Sequence, residues 1–304
     1  MVLSILISFV LLILFPSDVL AWGAGVHLEV GSHLLVNLRT LPEPLSALLA
    51  AYPRDFLYGC IGADITVGKK FTHYLKHCHS WRVGRQLLDA AVSEGQHACA
   101  YGYLAHLAAD TVAHSYFVPY KMVRTFNSGM LHHAYWELRV EADIEPEVWE
   151  LARQVAMENF RENDILLRNV LSTTLFSFPT NKRIFNSLLL LNRLRQWQRM
   201  LRAISARSRW TLEEENRGEY IALAREAATS ILVHLEASPW WSADPTGERA
   251  MHAAKSLRKH LKKLWLQGKL PPQTADRVLA DIKNRLRHGI TTPEQLPEML
   301  NGMG

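Results

Sequence analysis

The chain has 304 residues, 48% of them hydrophobic and 21% charged, which excludes a disordered or collagen-like chain and leaves room for one large domain or two small ones. Its net charge is +5, but residues 251–304 hold ten lysines and arginines against four acids, so the basic surplus belongs to the C-terminal tail. Three cysteines, Cys60, Cys78 and Cys99, are too few for a disulfide framework and fit no paired-cysteine zinc pattern.

Residues 2–15 are almost wholly apolar, yet at 14 residues they fall short of the ~20 that a membrane-spanning helix needs. Pro16 follows, then Val19-Leu20-Ala21, with small residues where a signal peptidase reads them. The pattern predicts a signal peptide over 1–21, cut before Trp22, and an extracytoplasmic protein, periplasmic or secreted. Because this segment has no Lys or Arg, an uncleaved anchor is the alternative. Val26–Leu38 reads as the first helix, stopped by Pro42. Ser93-Glu94-Gly95-Gln96 is a capping-box signature opening a helix to about Phe117, closed by Pro119. Met130–Ala142 is the next helical run, ending before Pro146, and Thr211 opens another to about Glu236. Asp244-Pro245 places an N-cap before a proline at the first helical position, and that helix runs to Gly268. Pro272–His288 ends likewise at Gly289. No period-2 alternation bounded by hairpin turns appears. The chain therefore reads as all-α, with a helical domain over 22–240 and a basic helical extension over 241–304. Within that extension Ala253–Leu266 alternates lysines with leucines, which suits a helix docked by its apolar stripe. A helix lying on an anionic membrane is the second reading.

Fourteen histidines, ten of them before residue 134, are the anomaly of the composition. Imidazole is the commonest metal ligand. His106, Asp110 and His114 are spaced i, i+4, i+8, which puts all three on one helix face over two turns. The neighbouring Leu104, Leu107, Val112 and Phe117 predict that this helix is buried. A buried His-Asp-His stripe is costly without a partner, and a metal is the natural one. His133 and Glu137, four apart, share a helix face and can hold one ion together. Asp64 closes the Gly-rich turn Gly59-Cys-Ile-Gly62-Ala-Asp64, and His79 follows inside His77-Cys78-His79-Ser80-Trp81. Cleavage before Trp22 would expose an α-amine with a pKa near 8, five residues ahead of His27.

Together these pieces resemble the zinc-dependent phospholipase C family, which is related to fungal single-strand nucleases. Trp22 and His27 match the W-x4-H start, Asp64 and His79 the Asp and the His before an aromatic stretch, and His106 with Asp110 the HxxxD core. His133, Trp136 and Glu137 match HxxW[DE]. The spacing of His114 differs from the bacterial phospholipases and is similar to the N-terminal part of glycosylphosphatidylinositol-specific phospholipase D. The resemblance implies an all-α fold, about three zinc ions and phosphodiester hydrolysis. It implies that Asp64, His79, His106 and Asp110 hold one zinc. Trp22, His27 and the bridging Asp110 would hold a second, and His114, His133 and Glu137 the third. Asp64 and Asp110 are the expected catalytic residues. Lys69, Lys70 and Tyr74, lying between Asp64 and His79, are candidate contacts for a phosphate or head group. The expected substrate is a phospholipid head-group diester at a membrane surface. A single-stranded nucleic acid is the alternative, and a non-catalytic exported metal- or lipid-binding protein the third reading. No protein partner is implied.

Overall fold

Helix follows helix through every described part of the chain, and no strand occurs among the described residues. The computed structural model describes residues 22–66, 78–128, 133–171, 176–192, 214–294 and 296, the side chains of 133, 134, 138, 191, 192 and 214–216 excepted. In chain order the helices are α1 (Ala24–Val36), α2 (Glu43–Ala51), α3 (Pro53–Cys60), α4 (Trp81–Ala90) and α5 (Glu94–Val112). Then come α6 (Val118–Arg124), α7 (His133–Glu141), α8 (Pro146–Met157), α9 (Arg161–Val170) and α10 (Phe178–Asn192). The last three are α11 (Glu214–His234), α12 (Glu248–Leu266) and α13 (Pro272–His288). No helix among the described residues is long and apolar enough to cross a membrane, and the apolar run 2–15 lies outside the described residues.

α5 is the axis of the fold. It starts at the expected capping box: Ser93 Oγ accepts the Gln96 N–H at 3.3 Å and Gln96 Oε1 accepts the Ser93 N–H at 3.4 Å. Fifteen of its 19 residues are buried, so it is apolar nearly all round and lies inside the bundle. Leu104, Leu107 and Val112 are wholly covered, each worth roughly 1.5–3 kcal/mol of burial. α3 and α11 pack along it most extensively, with α1, α4 and α9 completing the jacket. The α3–α5 crossing is close because glycines meet there. A Cβ on Gly102 would overlap the Phe56 carbonyl oxygen, and one on Gly59 would overlap that of Cys99.

Two expected boundaries are corrected. Pro119 does not end the long helical run, which passes through a π-helical turn, Ala113–Phe117, and continues as α6 to Arg124. The wider π turn changes the hydrogen-bond ladder just ahead of Pro119, where a missing N–H and a bulky ring otherwise break an α-helix. α12 begins at Glu248 rather than at Pro245. The Asp244 carboxylate first closes a local turn, accepting the Thr246 N–H at 2.9 Å and its hydroxyl at 2.7 Å, and reaches the Glu248 N–H at 3.1 Å. The stops are as expected at the other end, where Gly268 takes the left-handed conformation at φ 68°.

The tail is docked. Ala250, Ala254 and Leu261 of α12 and Ala275, Ile282 and Leu286 of α13 are buried, and both helices pack against α6 and the π turn. Lys255, Lys259, Lys262 and Lys263 stay exposed. Gly247, at φ 59°, sits where a Cβ would overlap the His114 backbone carbonyl, so the tail closes directly onto the π turn.

Candidate metal centre

Asp110 lies in the last turn of α5 with no exposed surface, and imidazoles approach both of its oxygens. Oδ2 lies 3.2 Å from His106 Nε2 and 3.1 Å from His79 Nε2. Oδ1 lies 3.3 Å from His27 Nε2 and 3.8 Å from His114 Nε2. Asp64 adds a second carboxylate, with Oδ1 at 3.3 Å from His79 Nε2.

Each of these side chains is placed by a local device. His106 and Asp110 share one face of α5 by their four-residue spacing. His114 is presented from the π turn, a feature that recurs at functional sites. His27 stands in the first turns of α1, its ring stacked on that of His106 at 3.8 Å between centroids. Asp64 sits in a 3-10 turn, Gly62–Ile65, directly after α3. His79 immediately precedes Ser80, whose hydroxyl caps α4 by accepting the Val83 N–H at 3.3 Å. The indole N–H of Trp81 donates to the Ala243 carbonyl at 2.8 Å and ties that cap to the segment before α12.

The tautomer of His106 follows from its surroundings. Its Nδ1 lies 2.8 Å from the Cys60 carbonyl oxygen, which only accepts, so Nδ1 carries the proton and Nε2 turns a lone pair inward. His79 Nε2 stands 3.1 Å from that lone pair. Burial lowers the His106 pKa, and the nearby His27 lowers it further, so the ring stays neutral as a metal ligand must. For Asp110 burial pulls upward, but the surrounding imidazoles of His106, His114 and His27 outweigh it and hold the carboxyl well below the usual carboxylate range. Two groups have ligand atoms mutually within 4.8 Å: His27, His106 and Asp110, and Asp64, His79 and His106. The donor set is imidazole and carboxylate without thiolate, which fits zinc. Burial pushes the thiols of Cys60 and Cys99 well above their ordinary range, so both behave as small packing residues, whereas the buried Cys78 Sγ stands 3.2 Å from His79 Nδ1.

The remaining expected residues are placed less closely. Trp22 is fully buried, with its ring 6.0 Å from that of Phe117 in the π turn. Glu137 is buried on α7, the helix that His133 opens, and α7 packs against α1 and α6. The His133 side chain, and Lys69, Lys70 and Tyr74 entirely, lie outside what is described. Two buried ionisable residues lie outside the expected ligand set. Lys121 is enclosed by Phe117, Trp136 and Tyr220, its Nζ 5.5–6.0 Å from the three ring centroids. Glu141, on the same helix as Glu137, reaches the start of α1. A signal for Glu141 existed, since it extends the four-residue rhythm of His133 and Glu137. For Lys121 there was none.

An all-helical domain whose buried core holds histidines and carboxylates in two overlapping ligand groups is that of a helical metalloprotein. Residues 26–175 match the family described as zinc dependent phospholipase C, and that segment is a domain of this family. The matched segment contains every expected ligand except Trp22. Neither a curated protein nor a solved structure matches the chain.

Proposed function

We propose that the protein is an exported phosphodiester hydrolase of phospholipase C type, carrying about three zinc ions and acting on phospholipid head-group diesters. The observation that carries this reading is Asp110: one oxygen faces His79 and His106, the other His27 and His114, as a carboxylate shared by two ions requires. Asp64, His79, His106 and Asp110 would hold one zinc, and Trp22, His27 and Asp110 a second. His114, His133 and Glu137 would hold the third. Bound there, zinc would supply Lewis acidity to polarise phosphoryl oxygen and lower the pKa of water.

The chain's own residues set the conditions. The Cys60 carbonyl keeps the His106 proton on Nδ1, so that Nε2 remains a donor of electrons at neutral pH. The imidazoles keep Asp110 ionised despite complete burial. Exclusion of water from Asp110 and His106 strengthens every charge interaction in the cluster. Lys69, Lys70 and Tyr74 are assigned to phosphate or head-group contact, and the exposed lysines of α12 supply a cationic face toward an anionic membrane.

The test offers purified mature protein, loaded with zinc, phosphatidylcholine, phosphatidylinositol and single-stranded DNA side by side. Release of phosphorylated head group with no nicking of DNA supports the proposal. Cleavage of DNA alone replaces it with the nuclease reading. No turnover of any of the three by a zinc-loaded protein leaves metal or lipid binding without catalysis.

A further inference from the structure

We propose that Glu141 is a positioning residue for the centre, one that seats the first turn of α1 and thereby sets where Trp22 and His27 stand; this rests on the metal-centre reading above. Glu141 closes α7, four residues beyond Glu137, and is buried. Its Oε1 accepts the Val26 N–H at 3.0 Å and its Oε2 accepts the Gly25 N–H at 3.3 Å. Those are first-turn amides of α1, a helix that has no side-chain cap and no acid in its own first turn. First-turn amides lack the i→i−4 partner of the helix interior; the Val26 N–H also donates to the Gly23 carbonyl oxygen at 3.1 Å, and the whole turn from Ala24 to Leu28 is buried. A carboxyl group 115 residues away in sequence therefore does the work that a local cap does in other helices.

The glycines of Trp22-Gly-Ala-Gly-Val-His27 support the same conclusion. Neither Gly23 nor Gly25 has a positive φ, so conformational freedom does not explain them. Space does. A Cβ on Gly23 would stand 2.7 Å from Glu141 Oε2, and one on Gly25 would stand 2.8 Å from the same oxygen and 2.9 Å from the Trp149 ring. Both distances are well inside van der Waals contact. The carboxylate thus occupies the volume that side chains at 23 and 25 would fill, between Trp22 on one side and His27 on the other. His27 directly follows the pinned Val26, and its ring stacks on His106 at 3.8 Å, so a slip of this turn would pull His27 off the cluster.

The experiment uses the full mature chain and the variants Glu141→Ala, Glu141→Gln, Gly23→Ala and the double variant Gly23→Ala/Glu141→Ala. Amide exchange at Gly25 and Val26, zinc per chain and the melting temperature are read for each. Loss of the carboxyl group should speed exchange about tenfold at Gly25, the scale of a lost hydrogen bond, and by less at Val26, whose N–H keeps the Gly23 carbonyl oxygen, and should remove one zinc. Glu141→Gln keeps the volume but turns a donor toward one of the two amides, so it too should lose zinc. Gly23→Ala should do the same by displacing the carboxylate, and its effect should shrink when Glu141 is already alanine, because the atoms it overlaps are gone. Unchanged exchange at Gly25 and Val26, or an undiminished Gly23→Ala effect in the double variant, overturns the proposal. So does a lowered melting temperature with zinc content intact, which marks a merely structural contact. If the wild-type chain itself binds no zinc, the metal-centre reading fails, while exchange and suppression still decide whether Glu141 seats the turn.

Discussion

Replacing Asp110 by asparagine tests the centre at its most shared atom pair. The side chains are nearly the same size, and position 110 is wholly buried in α5, so the fold should survive. What changes is charge and polarity. Whichever way the amide turns, its NH2 faces one imidazole pair: His27 and His114 across 3.3 and 3.8 Å, or His79 and His106 across 3.1 and 3.2 Å. In metal-free protein an inward-facing Nε2 can accept from that NH2, so the chelated variant should melt within a few degrees of the chelated wild type. In metal-loaded protein the same NH2 blocks one ion, and the lost negative charge weakens the other. Removing even an outer hydrogen-bond partner costs a metal site about 10–100-fold in affinity. Losing a shared ligand should cost each of two sites ~100-fold or more, at least ~2.7 kcal/mol apiece. Zinc per chain after desalting should therefore fall by about two, measured by elemental analysis, with unchanged helicity by circular dichroism. Loss of one ion, or of none, refutes the bridging role.

Further outcomes are expected from other features. Gly102→Ala forces a methyl group onto the Phe56 carbonyl and should lower stability by about 1–3 kcal/mol in urea titration; an unchanged midpoint would mean that the α3–α5 crossing is looser than it stands. The chelated protein should lose stability as pH falls below about 6.5. His106 has a lowered pKa in the folded state, so below its ordinary value of 6.5 the unfolded chain binds more protons, and stability declines with falling pH. Asp110 adds the same sign at lower pH, because a depressed carboxyl stabilises the fold above its ordinary value of 3.8 and that contribution is lost as pH falls through its folded pKa. Substituting His106 by Asn should flatten the upper part of this profile in chelated protein, as followed by thermal melts at stepped pH. Finally, one extra residue before Trp22 turns its α-amine into an amide, a poor metal donor; such a chain should carry one zinc fewer than a chain beginning at Trp22.

How much of this was legible beforehand depended on whether the signal was local. The helical character of the chain, the capping box at Ser93, the stop at Gly268 and the whole of Pro272–His288 followed from short-range chemistry, because caps and breakers act within a few residues. The shared face of His106 and Asp110 followed from helix periodicity in the same way. Boundaries failed where distant contacts intervened. The π turn carries the chain past Pro119 while α12 and α13 pack against it, and Asp244 serves a turn before it serves α12. Burial of Lys121 among three rings drawn from π turn, α7 and α11 had no local signature at all. The same holds for the centre. Residue types and spacing marked out His27, Asp64, His79, His106, Asp110 and His114, but three separate segments had to meet before Asp110 faced imidazoles on both oxygens. Nor did the sequence say why Gly23 and Gly25 are glycines, since the group that fills their space lies on α7, more than a hundred residues further along the chain. Local pattern determined which elements form and which faces carry donors; packing around α5 decided which donors converge, because convergence depends on side chains that are far apart in sequence.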